Sequence, residues 1–290
     1  MGDFLQVWPC LYALTTQMPE TQFFWAGKES YTLWTSPLGI TNSSRKLRQK
    51  VDKIYSAQHW PRGLENYQLL WFGLHKPPTN IAFANLFFFY GIENNSYDPP
   101  REVYAKQLSK INIESRVNWH RAWLKLFCPE REKNPAQVLI FPGSGNYRRC
   151  WPLEKFESIA TSLANKGFEP VFVLGPAELE RGLQIPAFEQ ICPDSLHELE
   201  KIILKSRMVI GNDSGPLHLA AYMQIPSVAI FGPASSKQWG PPGVYIAKIQ
   251  MHCSPCSKIG KIACFDPVCV SNIPEKTVMQ KIEQALRELA

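Results

Sequence analysis

Between residues 138 and 231 the chain repeats one pattern. A short, largely apolar run is stopped by a glycine- or proline-containing turn and followed by a stretch with helical spacing. The runs are 138–141, 171–174, 208–210 and 227–231, and each reads as a buried strand. Residues 153–166 place apolar side chains at Phe156, Ile159, Ala160, Leu163 and Ala164, the stripe of a helix, with Gly167 expected at its C-cap. Helices are also expected over 196–205 and 216–223. Strands apolar on both faces that alternate with helices imply a parallel sheet covered on both sides, so the expected fold class is α/β.

The first half has a different texture. It is aromatic and irregular, holds most of the nine tryptophans, and carries turn dipeptides at Pro77-Pro78 and Pro99-Pro100. Residues 4–14 suit a helix ending before Pro19. Strands are expected over 22–26 and 67–72, a helix over 118–127 and a charged linker over 129–135. With 290 residues, the chain is long enough for two domains. Their expected bounds are 1–132 and 133–275, followed by a C-terminal helix over 276–290.

No stretch approaches the roughly 18 apolar residues of a membrane span. The most apolar segment, 81–90, is short and interrupted by Asn85. The N-terminus lacks a basic region followed by an apolar core, so a cytoplasmic protein is expected. A formal charge of +6 suits an anionic substrate or an anionic membrane surface. The densest basic cluster, from Arg45 to Lys50, is expected to be a solvated helix face. It is too short for a nucleic-acid stripe, and no nucleic-acid partner is expected.

In an open parallel sheet, ligands bind beyond the carboxyl ends of the strands. Three strand ends carry unusual loops: 142–149, 211–216 and 232–236. In the middle loop, glycine permits close approach of a ligand, and Pro216 fits the first turn of a helix. The amides near Ser214 and Gly215 would then face outward at the positive end of the helix dipole, a site suited to a diphosphate. His218 lies one turn on. Asp213, which would repel phosphate, is expected to cap the helix or order its loop; the alternative is an ordinary Gly-Pro turn with a capping aspartate. The first loop contributes Ser144 and two arginines, Arg148 and Arg149. They are either guanidinium forks for a diphosphate or two surface cations.

The string from Phe141 to Phe156 joins two further signatures. One is Gly211, Asn212, Asp213, Ser214, Gly215, Pro216 and His218, followed by Ala220 and Ala221. The other runs from Ile230 to Pro233, with Gly240 and Pro241 beyond it. Together they resemble the ADP-heptose:lipopolysaccharide heptosyltransferases, glycosyltransferase family 9. The resemblance covers the whole second half in order, and the segment from Pro274 to Leu289 resembles the family's closing helix. It implies a GT-B architecture, two Rossmann-like domains facing across a cleft. It also implies an inverting transfer of heptose from ADP-heptose to a lipopolysaccharide inner-core or lipid-linked acceptor, with no cofactor and no metal ion. Contact with the inner face of the cytoplasmic membrane goes with such an acceptor.

Carried over position by position, Ser144, Arg149, Ser214, Gly215 and His218 are the implied donor-binding residues, with Asp213 ordering their loop. Arg149 stands where the family has a lysine, and Ala234 where it usually has threonine. The opening Gly2, Asp3 and Pro9 resemble the family's Gly-Asp segment, which makes Asp3 the implied base for the acceptor hydroxyl. In the family a strand precedes that segment, whereas this sequence starts at Met1. An N-terminal domain lacking its first strand is therefore expected. Three functional readings follow: the heptosyltransferase, a GT-B transferase with another nucleotide-sugar donor, and a non-catalytic nucleotide-sugar-binding homologue.

Four of the eight cysteines are spaced Cys253-x2-Cys256-x7-Cys264-x4-Cys269. Cys-x-x-Cys is a metal-type knuckle, but the second pair is not spaced like a zinc ribbon. Structural thiols or a loop disulfide stand against zinc or iron–sulfur, and a metal-free cluster is the expectation.

Overall fold

The computed structural model describes all residues except 57–58, 77–82, 95, 129–133, 257–261, 263 and 288–290. The chain divides into two compact units: Asp3–Trp119, and His120–Ala290 together with Met1–Gly2.

The N-terminal unit is organised on α1 (Gly2–Gln17), where Leu5, Trp8, Cys10 and Leu14 are buried. The sequence placed this helix correctly but too short. Pro9 sits inside it, which removes a backbone donor at a cost of about 3 kcal/mol. Burying side chains such as Leu5 and Trp8, worth about 1.5–3 kcal/mol each, outweighs that.

Two separate parallel pairs follow. β1 (Phe24–Trp25) pairs with β2 (Thr41–Asn42), and β3 (Leu69–Gly73) pairs with β4 (Leu86–Tyr90). The expected strand over 22–26 is thus reduced to two residues, and that over 67–72 starts two residues later and ends one later. In the second pair the register sets ring on ring, with Phe72 stacked on Phe89 at 4.9 Å. Helices α2 (Thr32–Thr35), α3 (Arg45–Asp52) and α4 (Pro100–Ser109) complete this unit. α3 turns Val51 inward onto Ile54 and Leu64, with Leu47 packed against them. The expected linker falls largely on 129–133 and Leu289 on the last three residues, outside the described part.

The C-terminal unit opens with α5 (Trp119–Phe127) and then alternates regularly. The order is β5 (Gln137–Phe141), α6 (Leu153–Ala164), β6 (Glu169–Val173), α7 (Pro176–Glu180), β7 (Glu189–Ile191), α8 (Leu196–Lys205), β8 (Met208–Asn212), α9 (Gly215–Tyr222) and β9 (Ser227–Ile230). There follow α10 (Ser236–Trp239), β10 (Tyr245–Ala247), α11 (Val268–Ser271) and α12 (Glu275–Arg287). The six strands form one parallel sheet in the order β10-β9-β8-β5-β6-β7.

Val138 and Ile140 of β5 join Phe156, Ile159 and Leu163 of α6 and Val278 and Ile282 of α12 in one core. Leu139, which alternates with them and so faces the other side, is equally buried. Both faces are therefore covered, as the continuous apolar runs required. The short edge strands β7 and β10 were not legible: Glu189 and Gln190 break any apolar run in β7, and β10 is only three residues long. Gly167 is not the C-cap of α6. Asn165 holds that position, and Gly167 follows with φ 85°.

Candidate functional site

From β5 the chain moves outward to β6 and β7, then crosses back to β8 and continues to β9 and β10. The strand order reverses between β5 and β8, which opens a crevice at their carboxyl ends. Two of the three loops singled out in the sequence leave from this point, and the third leaves from the neighbouring β9. The last residue of β5, Phe141, lies in register with Gly211 of β8. A side chain at Gly211 would strike the Phe141 backbone at 2.8 Å and Leu217 at 2.9 Å. Only glycine lets the strands and α9 close up here.

The two central loops are stitched together. Asn212, fully buried, donates from Nδ2 to the Pro142 carbonyl at 2.6 Å and accepts the Trp151 N–H at 2.9 Å. Ser144 donates its hydroxyl to the Asp213 carbonyl at 3.0 Å. Arg149, on a 3-10 turn initiated by Asn146, places Nη1 3.2 Å from Asp213 Oδ2. Asp213 is nearly buried, and an unpaired carboxylate there would be costly, so it takes the guanidinium. The capping role expected for Asp213 is thereby corrected. Ser214 holds the N-cap position of α9, and no side chain caps that end. Asp213 orders the loop instead.

Around this stitched core lie the groups suited to an anion. The Ser214 hydroxyl and Arg149 Nε are buried without a hydrogen-bond partner among the described residues. Gly215 opens α9, and Pro216 brings no N–H to the first turn. His218 stands in that turn, nearly buried. Arg148 turns away: Nη1 donates to the Ile262 carbonyl at 2.9 Å, and the guanidinium lies over the Tyr147 ring. Ser144, Arg149, Asp213, Ser214, Gly215 and His218 thus gather at one sheet edge, while Arg148 serves another loop. Asp3 belongs to the other unit, exposed in the first turn of α1.

The third loop is fixed by the cysteine segment. Ser254 donates to the Gly232 carbonyl at 2.6 Å, and the Cys256 N–H donates to Pro233 at 3.2 Å. Burial pushes the Cys269 thiol up to about 11, with Cys256, Cys264 and Cys253 adding to the shift. All four are free thiols, and among the described residues no group of three or more His, Cys, Asp or Glu is arranged to hold a metal ion.

Sequence reasoning missed Glu178. Its carboxylate accepts the N–H of Gly175 at 2.9 Å and packs onto Gly143, joining the β6 loop to the β5 loop. The signal was present as glycine, proline and a glutamate three residues after the glycine, the pattern of a helix start. Beyond the ends of β6 and β7 lies a cavity of about 480 Å³, lined by Leu174, Leu179, Leu183, Pro186, Gln190 and Cys192. No described helix is long and apolar enough to cross a membrane.

The family model described as Glycosyltransferase family 9 (heptosyltransferase) matches residues 101–265. The lipopolysaccharide heptosyltransferase 3 of Escherichia coli is 29% identical over 36% of this chain, and the match spans only 33% of that protein. The lipopolysaccharide heptosyltransferase 1 of Salmonella typhimurium is 22% identical over 93% of this chain and 95% of its own length. Among solved structures, the family 9 glycosyl transferase of Veillonella parvula superposes with a TM-score of 0.68 at 19% identity, covering 99% of this chain and 95% of its own. E. coli heptosyltransferase WaaC with ADP gives 0.67 at 15% identity, covering 98% and 97%. These structures share the α/β fold with parallel sheets.

Proposed function

Because this chain belongs to glycosyltransferase family 9, the heptosyltransferases, we propose that it transfers heptose from ADP-heptose to a lipopolysaccharide inner-core acceptor. One observation carries the reading: a half-buried guanidinium, an uncapped helix start and a glycine-lined crevice meet where the strand order reverses. That combination suits the diphosphate of a nucleotide sugar, because backbone amides and the helix dipole meet the phosphates without a metal.

In this reading Asp213 holds Arg149 in place, and the remaining guanidinium N–H groups turn to the phosphates as charge builds on the leaving nucleotide. The Ser214 hydroxyl and the Gly215 amide complete the cradle, with His218 beside it. The cavity beyond β6 and β7 has apolar walls suited to the flat face of a nucleobase. The Asp3 carboxylate accepts the proton of the acceptor hydroxyl as that oxygen attacks the anomeric carbon and the nucleoside diphosphate departs, so that configuration inverts. The lipid-bearing acceptor brings the protein to the inner membrane surface.

The test is direct. Full-length protein is titrated with ADP, UDP and GDP by calorimetry, then assayed with ADP-heptose and heptose-deficient lipopolysaccharide. Tightest binding of ADP together with heptose transfer is expected. Preference for UDP or GDP would move the assignment to another nucleotide-sugar donor, which Arg149 in place of lysine and Ala234 in place of threonine would accommodate. Nucleotide binding without transfer to any acceptor would favour a non-catalytic binding protein.

A further inference from the structure

The N-terminal unit holds a second pair of polar groups that the reading above only half uses. Phe4, next to Asp3, stacks on Tyr31 at 4.4 Å and on Trp34 at 5.8 Å, and meets Trp25 edge-on at 5.4 Å. Tyr31 and Trp34 are themselves stacked at 6.0 Å. One turn along α1, Trp8 donates its Nε1 to the Trp34 carbonyl at 2.9 Å, and Trp34 is fully buried. The segment from Tyr31 to Trp34 is therefore fixed to the first two turns of α1 by rings on one side and a buried hydrogen bond on the other. Stacked aromatic pairs hold a preferred geometry rather than sliding freely.

The phenol at the end of this rigid mount has no structural task. Among the described residues the Tyr31 hydroxyl makes no hydrogen bond, and the ring is only half-buried. Tyr104 shows the contrast, since its hydroxyl is committed to the Gly73 carbonyl at 2.9 Å. Asp3 is exposed and accepts no hydrogen bond from described residues. Burial raises the Tyr31 phenol above its ordinary range, and the charge of Asp3 raises it further, so the group remains a neutral donor. An unused donor on the ring that stacks against Phe4, rigidly held, and an unused acceptor on the adjoining Asp3 suit the two-way hydrogen bonding of neighbouring sugar hydroxyls.

We propose that Tyr31 is an acceptor-positioning residue: its hydroxyl donates a hydrogen bond to an acceptor-sugar oxygen beside the hydroxyl that Asp3 deprotonates. This rests on the assignment of Asp3 as base. Tyr31 holds the acceptor in the orientation from which attack is productive, and Asp3 takes the proton.

The experiment uses the full chain, ADP-heptose, and deacylated inner-core oligosaccharide from heptose-deficient lipopolysaccharide as the acceptor probe. Tyr31→Phe keeps the stacked ring and removes the hydroxyl. Its acceptor KM should rise about three- to tenfold, the effect of one neutral hydrogen bond, with ADP affinity and unfolding midpoint unchanged. Tyr31→Leu, which also removes the ring, should add a loss of stability. An unchanged acceptor KM in Tyr31→Phe would overturn the inference, as would equal losses of ADP affinity and stability, which mark a purely structural role. Asp3→Asn is run in parallel to separate the two ideas. Full turnover in that variant removes Asp3 as the base whatever Tyr31 does. A wild-type chain that transfers nothing removes the enzymatic reading and the inference with it.

Discussion

The two units reach stability by different routes. In the C-terminal unit a six-stranded parallel sheet is buried on both faces, and aliphatic side chains such as Val138, Ile140, Ile210 and Val228 fill the core. In the N-terminal unit the strands form two isolated pairs, and rings supply the packing: Phe4, Trp8, Tyr31 and Trp34 around α1, and Phe72 on Phe89 across β3 and β4. Aliphatic cores built on repeated strands leave a periodic trace in the sequence. Aromatic cores built on irregular connections do not, because a few large side chains from scattered positions do the work of many small ones.

The largest effect expected lies in the aromatic unit and concerns chemistry. Asp3→Asn should reduce transfer by about 10²–10⁴-fold, the usual worth of a general base, while leaving ADP affinity intact. A variant that also lost ADP would end the assignment of separate donor and acceptor roles to the two units.

A pair of buried tryptophans probes the packing itself. Trp151 in the sheet unit is 2% exposed and donates to the Ile273 carbonyl at 3.0 Å, and Trp8 in the aromatic unit is fully buried. Each change to alanine should cost about 3–5 kcal/mol by chemical denaturation. Two resolved transitions, one shifted by each variant, would sharpen the comparison. A single shared transition would show that the units unfold together.

Smaller effects follow at the stitched loops. Asn212→Ala leaves the Pro142 carbonyl and the Trp151 amide without their buried partner and should destabilise by about 1–3 kcal/mol. Arg149→Ala should weaken ADP by about ten- to a hundredfold, corresponding to about 1.5–3 kcal/mol for a charge-assisted contact. Unchanged ADP affinity would move the diphosphate away from this edge. The smallest effect is expected at the surface pair of Arg48 and Glu29, 3.4 Å apart with Glu29 well exposed. Arg48→Ala should alter stability by less than about 1 kcal/mol, and less still in high salt.

By itself the sequence determined the parallel sheet, the bounds of α8, the loops at the strand ends and the membership of Ser144, Arg149, Asp213, Ser214, Gly215 and His218 in one neighbourhood. The reason is that strands buried on both faces leave continuous apolar runs, amphipathic helices impose a period of 3.6 residues, and the loops of a parallel sheet that bind ligands leave from the carboxyl ends of its strands. Only the tertiary structure decided how those residues divide their work. Asp213 turns to Arg149 rather than to the end of α9 because a nearly buried carboxylate requires a cation, and that cation comes from 64 positions away in the chain. Arg148 and Arg149, adjacent in sequence, go to different partners. Asn212 reads in the sequence as one more polar residue of a turn and proves to be the bridge between two loops. The Tyr31 ring is stacked on Phe4 of α1 and on Trp34, which come from two separate segments. Hydrogen bonds and ring stacks of this kind join residues far apart along the chain, so no local period records them.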